Sequence, residues 1–294
     1  MLVTRRDALI HGGLFAACCV TTTLYNGLAF GACLMSILLC HELGHYLVAR
    51  RRGLRVSLPY FIPLPPVVSL GTLGAVIRMD KPIEDRAALF DVGAAGPIAG
   101  LVAAIPLLVV GLQLSPVGPS PPDSAIEGNS ILYAVLKYAV FHQWLPSDRG
   151  IDVQLHPVAS AAWVGLLLTM INLMPIGQLD GGHIARAALG SRHETWSRRL
   201  HIALPVVGIV VASAMFAEAR QAGRDAVSAL GYAKYGAIPW LVWTLMLAVL
   251  RSRSGEYHPA VSDVPLDRKR RLLALGMVIV FVSIWTPVPM RPVL

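Results

Sequence analysis

Residues 38–53 read LLCHELGHYLVARRRG, an apolar run that carries His41, Glu42 and His45 before it ends in three arginines. On a helix, His41 and His45 project from one face, one turn apart, which suits two imidazole ligands of one zinc ion. Glu42 lies beside them, where its carboxylate can take a proton from a metal-bound water. If Arg50 marks the inner interface, His41 lies about 13 Å deep. Ionisable groups at such depth are candidates for function.

The composition indicates a polytopic membrane protein. Of the 294 residues, 55% are hydrophobic and 14% are charged, whereas a soluble domain carries about a quarter charged residues. The net charge of +8 comes from short basic clusters beside apolar segments, a pattern that reflects membrane topology and argues against nucleic-acid binding. The four cysteines have neither metal-ligand spacing nor the pattern of a disulfide framework.

The apolar segments predict an all-α fold with six or seven transmembrane helices, and we favour seven. The fifth and sixth segments are short and would form a helical hairpin that barely spans if only six are present. The first segment resembles a lipoprotein-like signal sequence, but the apolar run continues far beyond any such site, so we favour an uncleaved span. The segments lie near 8–26, 28–50, 92–114, 157–175, 201–217, 235–250 and 272–288.

The basic residues predict the orientation. With the N-terminus inside, 19 of the 25 Lys and Arg residues fall on the cytoplasmic side, as the positive-inside rule requires. No transit-like presequence is evident, so we expect an integral, multi-pass protein of a prokaryotic cell (inner) membrane with a cytoplasmic N-terminus.

Two connections between the apolar segments have structure of their own. Residues 59–79 are apolar but contain four prolines and two glycines, which excludes a straight helix. We expect an extended, re-entrant, β-hairpin-like segment near the zinc site, buried against protein because a bare strand cannot face lipid. In the outer connection, 115–156, residues 130–145 are compatible with an interfacial helix.

A second polar break supplies the third metal ligand. Residues 172–183 read NLMPIGQLDGGH; Pro175 stops the helix, and Gly181 and Gly182 are expected to free the chain beyond Asp180. Residues 38–53 and 172–183 both approach the inner face of the membrane, so Asp180 can meet the two histidines and complete a zinc site. Two structural alternatives remain open, a hydrogen-bonded His–Glu cluster between helices and a helix-capping role for Asp180.

Four motifs together resemble the site-2 protease family of intramembrane zinc metalloproteases: HELGH (41–45), GTLGAVIRM (71–79), FDVGAAGPIAG (90–100) and NLMPIGQLDGGH (172–183). The resemblance covers about residues 40–185. It implies one Zn²⁺ per chain held by His41, His45 and Asp180, and catalysis by Glu42. It also implies that Asn172 binds the substrate or stabilises the developing oxyanion, although a simple interhelical hydrogen bond is nearly as good an interpretation.

The substrate implied by the resemblance is a single-pass transmembrane protein or a leftover signal peptide, cut near the cytoplasmic face. Because a protease attacks an extended backbone, the strand edge near the zinc is expected to hold the substrate by added-strand pairing. The expected contacts there are Ser69, Gly71, Thr72 and Gly74. By contrast, Gly96 and Gly100 are assigned to helix packing, and His183 is interpreted as a surface histidine that is not a ligand.

The sequence predicts a single domain and leaves two other functions open. Residues 1–294 are expected to form one membrane-embedded metalloprotease domain with a catalytic core at about 28–185, flanking spans at 1–27 and 201–288, and no PDZ or CBS domain. A metal- or proton-coupled transporter that uses buried His and Asp is the main alternative, although no inverted repeat supports it. A catalytically silent relative is the other. The sequence makes no prediction of oligomeric state.

Overall fold

A computed structural model describes residues 5–65, 70–121, 124–147 and 150–293, without the side chains of residues 253 and 254. The helices are α1 (Arg5–Asn26), α2 (Leu28–Arg51), α3 (Arg86–Gln113), α4 (Ile131–Phe141), α5 (Pro157–Asn172), α6 (Asp180–Leu189), α7 (Arg192–Gln221), α8 (Ala226–Ser254) and α9 (Arg268–Ile284). The strands are β1 (Tyr60–Pro63), β2 (Thr72–Val76), β3 (Val117–Pro119), β4 (Ala125–Glu127), β5 (Ile151–Val153) and β6 (Met290–Pro292).

In the described part of the chain, five helices are long and apolar enough to cross a membrane: α1, α2, α3, α7 and α8. The expectation that the segments at 201–217 and 235–250 are short is wrong. Polar helical turns extend both segments, so that α7 has 30 residues and α8 has 29. Helices α5 and α9 have 16 and 17 residues, which corresponds to only about 25 Å of helix.

Small residues let α2, α3 and α5 pack closely around the centre of the molecule. A Cβ at Gly44 of α2 would lie 2.6 Å from the Ala95 carbonyl oxygen of α3. A Cβ at Gly165 of α5 would lie 3.0 Å from the Ile37 side chain of α2. Without a hydrophobic driving force between helices in lipid, such close contact provides much of the association energy.

The proline-rich connection after α2 is extended, as the sequence predicts. Strands β1 and β2 pair antiparallel, with Tyr60 opposite Val76 and Phe61 opposite Ala75. The hairpin is attached to α1, because the Thr21 hydroxyl donates a hydrogen bond of 2.6 Å to the Gly71 carbonyl. Gly71 has φ +91°, which favours glycine.

The described outer connection contains more β-structure than the all-α prediction allows. Strands β3 and β5 form one antiparallel pair, and β4 pairs antiparallel with β6 from the end of the chain. Helix α4 occupies most of the segment predicted to be an interfacial helix and begins at a Ser130 cap. Each strand has only three residues, too few for an alternating pattern in the sequence to reveal it.

Ion pairs and strand pairing hold the two ends of α9 to different parts of the fold. Asp91 of α3 accepts hydrogen bonds of 2.8 and 2.9 Å from Arg270, near the start of α9. Asp91 also pairs with Arg52, which follows α2. Beyond the other end of α9, β6 lies on β4, in the connection that follows α3. Helix α9 therefore links the charged end of α2 to the outer connection.

Candidate metal centre

Helix α2 brings His41 and His45 to one face, one turn apart, as their spacing predicts. Their Nε2 atoms lie 3.1 Å apart. His41 and the adjacent Glu42 are buried, with exposed fractions of 5% and 8%. Because α2 packs on α3 along this face, the three polar side chains point into the protein and not toward lipid.

Asp180 reaches both histidines from the first residue of α6. Its Oδ2 lies 3.1 Å from His41 Nε2 and its Oδ1 lies 3.2 Å from His45 Nε2. The chain is not helical between Asn172, the last residue of α5, and Asp180. This interruption turns the carboxylate toward α2, as the polar break in the sequence predicts.

The two glycines after Asp180 act differently from expectation. Gly181 and Gly182 lie inside the first turn of α6 and do not loosen the chain. A Cβ at Gly181 would overlap the Leu173 carbonyl, and a Cβ at Gly182 would overlap the Gly177 carbonyl. The glycines therefore let α6 fold back tightly against the segment that precedes it.

The donor atoms fit a tetrahedral zinc ion. One ligand atom from each of His41, His45 and Asp180 lies within 4.8 Å of the others, and no other such trio occurs in the described ranges. Two ligands bound about 2.0 Å from one tetrahedral zinc are about 3.3 Å apart, close to the 3.1 and 3.2 Å observed between these atoms.

The protonation of His45 also suits a metal ligand. His45 Nδ1 lies 2.8 Å from the Val92 carbonyl oxygen. A carbonyl only accepts, so Nδ1 carries the proton and donates it. The lone pair of the neutral ring is therefore on Nε2, which faces His41 and Asp180. Such an outer hydrogen bond is the usual way in which proteins fix the tautomer of a metal-binding histidine.

Two glycines of α3 make room for the imidazoles. A Cβ at Gly96 would overlap His45 Nε2, and a Cβ at Gly100 would lie 3.2 Å from His41 Nδ1. The sequence interpretation assigned both glycines to helix packing alone. They do pack α3 on α2, as expected, but the surface that they form is the wall of the metal centre.

A cavity of about 300 Å³ opens at the three donor residues and is hereafter the catalytic cavity. Glu42 lines it next to the candidate ligands. Asn172 lines it from α5, and its Nδ2 lies 3.5 Å from His41 Nε2. Strand β2 supplies a further wall through Ala75 and Val76.

Of the residues predicted to bind substrate, those that the structure describes precede the cavity-lining part of β2 in the chain. Ser69 falls outside the described residues. Gly71 and Thr72 contact α1, where a Cβ at Gly71 would lie 2.6 Å from Thr22 N and the Thr72 hydroxyl donates to Cys18 Sγ at 3.6 Å. Gly74 has open space around it and φ +93°. The described cavity wall begins one residue later, and a substrate-binding role for these four residues stays a prediction.

His183 lines the catalytic cavity and is not the surface histidine that the sequence interpretation expected. Its Nδ1 lies 2.7 Å from His258 Nε2, and His258 Nδ1 lies 2.9 Å from the Pro259 carbonyl oxygen. Since that carbonyl accepts, His258 Nδ1 donates to it, and His183 Nδ1 then donates to His258 Nε2.

Burial and the neighbouring His258 lower the pKa of His183 to about 4. At neutral pH His183 is therefore uncharged, and its Nε2 is a hydrogen-bond acceptor. Sequence reasoning missed His258 because it lies in a connection without a motif, far along the chain from the residues that it supports.

The fold and the site define a mostly helical membrane protein with a candidate His–His–Asp metal centre buried among its helices. The sequence profile of peptidase family M50 matches residues 29–215. The chain therefore belongs to peptidase family M50, which confirms the resemblance to the site-2 proteases.

The chain is also similar to three plant proteins. "Probable zinc metalloprotease EGY1, chloroplastic" of Arabidopsis thaliana is 36% identical over 177 residues, 55% of this chain and 29% of that protein. "Probable zinc metalloprotease EGY2, chloroplastic" of Arabidopsis thaliana is 27% identical over 291 residues, 98% of this chain and 46% of that protein. The protein of the same name in Oryza sativa subsp. indica is 32% identical over 217 residues, 73% of this chain and 38% of that protein. The chain thus spans less than half the length of each.

Proposed function

We propose that the protein is an intramembrane zinc metalloprotease that hydrolyses peptide bonds of single-pass membrane proteins near the cytoplasmic face. The observation that carries the proposal is the convergence of His41, His45 and Asp180 in a buried cavity next to Glu42. Family membership and the relatives' printed descriptions as probable zinc metalloproteases support it.

The donor set accounts for the hydrolytic chemistry. A zinc ion held by His41, His45 and Asp180 would lower the pKa of water toward 7 and polarise the scissile carbonyl. Glu42 lines the same cavity, takes the proton of the attacking water and delivers it to the departing amine. The carboxylate is shielded from bulk water, so the transferred proton stays within the site.

Asn172 is the candidate for stabilising the charge that develops on the carbonyl oxygen. It lines the catalytic cavity, and its Nδ2 lies beside the metal centre, 3.5 Å from His41 Nε2. A neutral amide donor that is already in place when charge develops contributes most where water is excluded.

Strand β2 is the proposed docking edge for the substrate. Within the described residues its sheet has two strands, β1 and β2, which leaves one edge of β2 without a strand partner. The C-terminal half of β2 lines the catalytic cavity, and Val76 there is 55% exposed. A substrate segment added to this edge would be extended and next to the metal centre.

We infer seven spans, with the N-terminus on the side of the membrane that holds most of the basic residues; the relatives' printed descriptions as chloroplastic conflict with the expectation of a prokaryotic cell membrane. The attachment of α9 supports this count: its start pairs with Asp91 beside the basic end of α2, and β6 after it pairs with β4. Helix α9 thus runs from the basic end of α2 to the outer connection, and we infer that its 17 residues cross the membrane. With α5 also crossing, the basic residues lie inside, and the β1–β2 hairpin re-enters from that side.

Zinc content tests the proposal without a known substrate. Zinc per chain is measured in protein purified without chelators, as wild type and as the variants Asp180→Ala and Glu42→Gln. We expect near one zinc in wild type and Glu42→Gln, and a clear loss in Asp180→Ala. Proteoliposomes with a panel of single-pass peptides should then show cleavage by wild type and none by Glu42→Gln. Zinc-free wild type, or zinc with no cleavage of any peptide, would favour a transporter or a silent relative.

A further inference from the structure

The row of glycines by which α3 makes room for the two candidate histidine ligands continues to His183. Gly93 lies three residues before Gly96 on α3, and a Cβ at Gly93 would lie 2.9 Å from the Cβ of His183. Three residues correspond to about 4.5 Å of helix. His183 therefore lies beside the metal centre, displaced by less than one helical turn toward the start of α3 and the inner side of the membrane.

The His183 ring has one nitrogen without a partner. Its Nδ1 donates to His258 Nε2 at 2.7 Å, and the direction of this bond is fixed because His258 Nδ1 donates to the Pro259 carbonyl. His183 Nε2 thus has a lone pair, to which no group in the described ranges donates. Unlike His193 Nδ1, this atom is not fully buried. Because His183 lines the catalytic cavity, the lone pair is accessible to a ligand there.

A substrate strand on β2 would leave about half of its N–H groups without an acceptor. In a strand pair, backbone groups point alternately toward the partner and away from it. An N–H group that is buried without an acceptor is costly. Ile77 and Met79, which follow β2, also line the catalytic cavity. A substrate strand would therefore continue past the end of β2 in this cavity, where its outward N–H groups need an acceptor.

His183 is the best-placed acceptor for such an N–H group. Five of the seven polar residues that line the catalytic cavity have assigned roles: His41, Glu42, His45, Asn172 and Asp180. The other two are His183 and Gln178. Gln178 is exposed, in the non-helical segment before α6. His183 is on α6, and its partner His258 is only 4% exposed. An acceptor that is fixed in advance loses less entropy when it binds.

We propose that His183 is a substrate-binding residue whose Nε2 accepts a hydrogen bond from a backbone N–H of the substrate, within about two residues of the scissile bond on its inner side. The offset of about 4.5 Å along α3 corresponds to one or two residues of extended chain. This inference rests on the proposed protease activity and on pairing of the substrate with β2.

The contact would make His183 a sensor of substrate unwinding. In a transmembrane helix each N–H is bonded to the carbonyl four residues earlier, so a helical substrate has no N–H to donate to His183. Only an unwound segment can form the bond, whatever its side chains are. His183 would thus favour the extended backbone that the protease attacks.

Substitution of single backbone amides by esters tests this one hydrogen bond. The probes are fluorescein-labelled single-pass peptides of one sequence, whose cut is first mapped by mass spectrometry. Each of the first four non-scissile amides on the inner side of the cut is replaced in turn by an ester, which has no N–H. Fluorescence anisotropy with Glu42→Gln protein reports binding, and proteoliposomes with active protein report kcat/KM. An ester at the first or second position should weaken both by about fivefold.

Matched variants assign the penalty to His183 Nε2. The amide of His183→Asn reaches the position of Nδ1 and can still donate to His258, but it leaves no acceptor at the position of Nε2. The ester penalty at the proposed position should then fall below about twofold, while penalties from bonds to β2 persist at other positions. His183→Gln has an amide oxygen that reaches the position of Nε2 and should restore part of the penalty. Gln178→Ala should keep all of it.

The outcomes separate this inference from the proposed function. A penalty that is the same in His183→Asn as in wild type, or that disappears in Gln178→Ala, overturns the inference and leaves the protease activity in place. A loss of zinc in His183→Asn, or an equal loss of activity with every peptide, overturns it as well, because His183 would then support the metal or the fold. A penalty that depends on His183 in the binding assay, without cleavage of any peptide, would overturn the proposed protease activity and leave the contact in place.

Discussion

Gly96 on α3 faces the imidazole of His45 on α2 so closely that a Cβ at residue 96 would overlap His45 Nε2. The nitrogen in question is the candidate zinc ligand, and the other ring nitrogen, Nδ1, is held by the Val92 carbonyl of the same helix at 2.8 Å. The imidazole thus lies directly on the backbone of α3, and only the absence of a side chain at residue 96 lets it lie there. The absence of a side chain at Gly96 is part of the metal centre.

The variant Gly96→Ala should therefore lose zinc, because the methyl group displaces His45 from the donor set. We expect zinc per chain and proteolysis to fall at least about tenfold, since changes beside ligands already cost this much. Gly100→Ala is the matched control: its Cβ would meet His41 Nδ1 at 3.2 Å, a contact that a small shift relieves. Equal zinc in both variants would contradict the assignment of Gly96.

Asn172 should matter for turnover and not for zinc. Asn172→Ala removes the amide donor at the cavity, and we expect kcat to fall by about 10²-fold with zinc content unchanged. Asn172→Asp should be no better, because a carboxylate accepts and cannot donate. Gln178→Ala, at the same cavity wall, controls for loss of an amide in general. Wild-type kcat combined with a lowered Tm would instead indicate an interhelical hydrogen bond.

Strand pairing with the substrate should produce a cross-linking pattern with a period of two. A photoreactive phenylalanine analogue at Val76, in Glu42→Gln protein, should cross-link to alternate residues of a bound single-pass peptide, because neighbouring side chains of a strand point to opposite faces. The same analogue at Val110 of α3, which is similarly exposed at 49%, should give no such pattern. A period of three to four residues would mean that the substrate stays helical.

The metal centre was the part of the protein most accessible from sequence. The i, i+4 spacing of His41 and His45 fixes their geometry on any helix, and Asp180 follows a polar, Pro-containing segment that interrupts an apolar run. Family membership confirms the family resemblance that these motifs suggested. What the sequence did not reveal is the surface against which these residues lie. The sequence predicts a packing role for Gly96, because it does not show which side chain of a neighbouring helix faces a glycine.

The outer part of the molecule was the least predictable. Lys137 lies in an apolar stretch that predicts a helix with its lysine at an interface, yet its side chain is fully buried. Its partners, Glu127 and Asp152, come from three-residue strands whose pairing depends on distant parts of the chain. Such contacts carry no periodic signal. The same holds for His258, which is 75 residues from His183 in the sequence and meets it only in the folded protein.

The attachment of α9 to α2 and α3 predicts a stabilising role for Asp91. Its side chain is 22% exposed, so solvent screens the pairs with Arg52 and Arg270, and Asp91→Asn should cost about 1 kcal/mol. Tm should fall by a few degrees, and trypsin should cut faster at residues 268–271 because the start of α9 is released. Asp225→Asn is the control, since it keeps the cap of α8 and removes an exposed carboxylate whose hydrogen bonds are to α8. The difference between the two variants should shrink in 1 M salt; equal trypsin rates in both would mean that Asp91 does not hold α9.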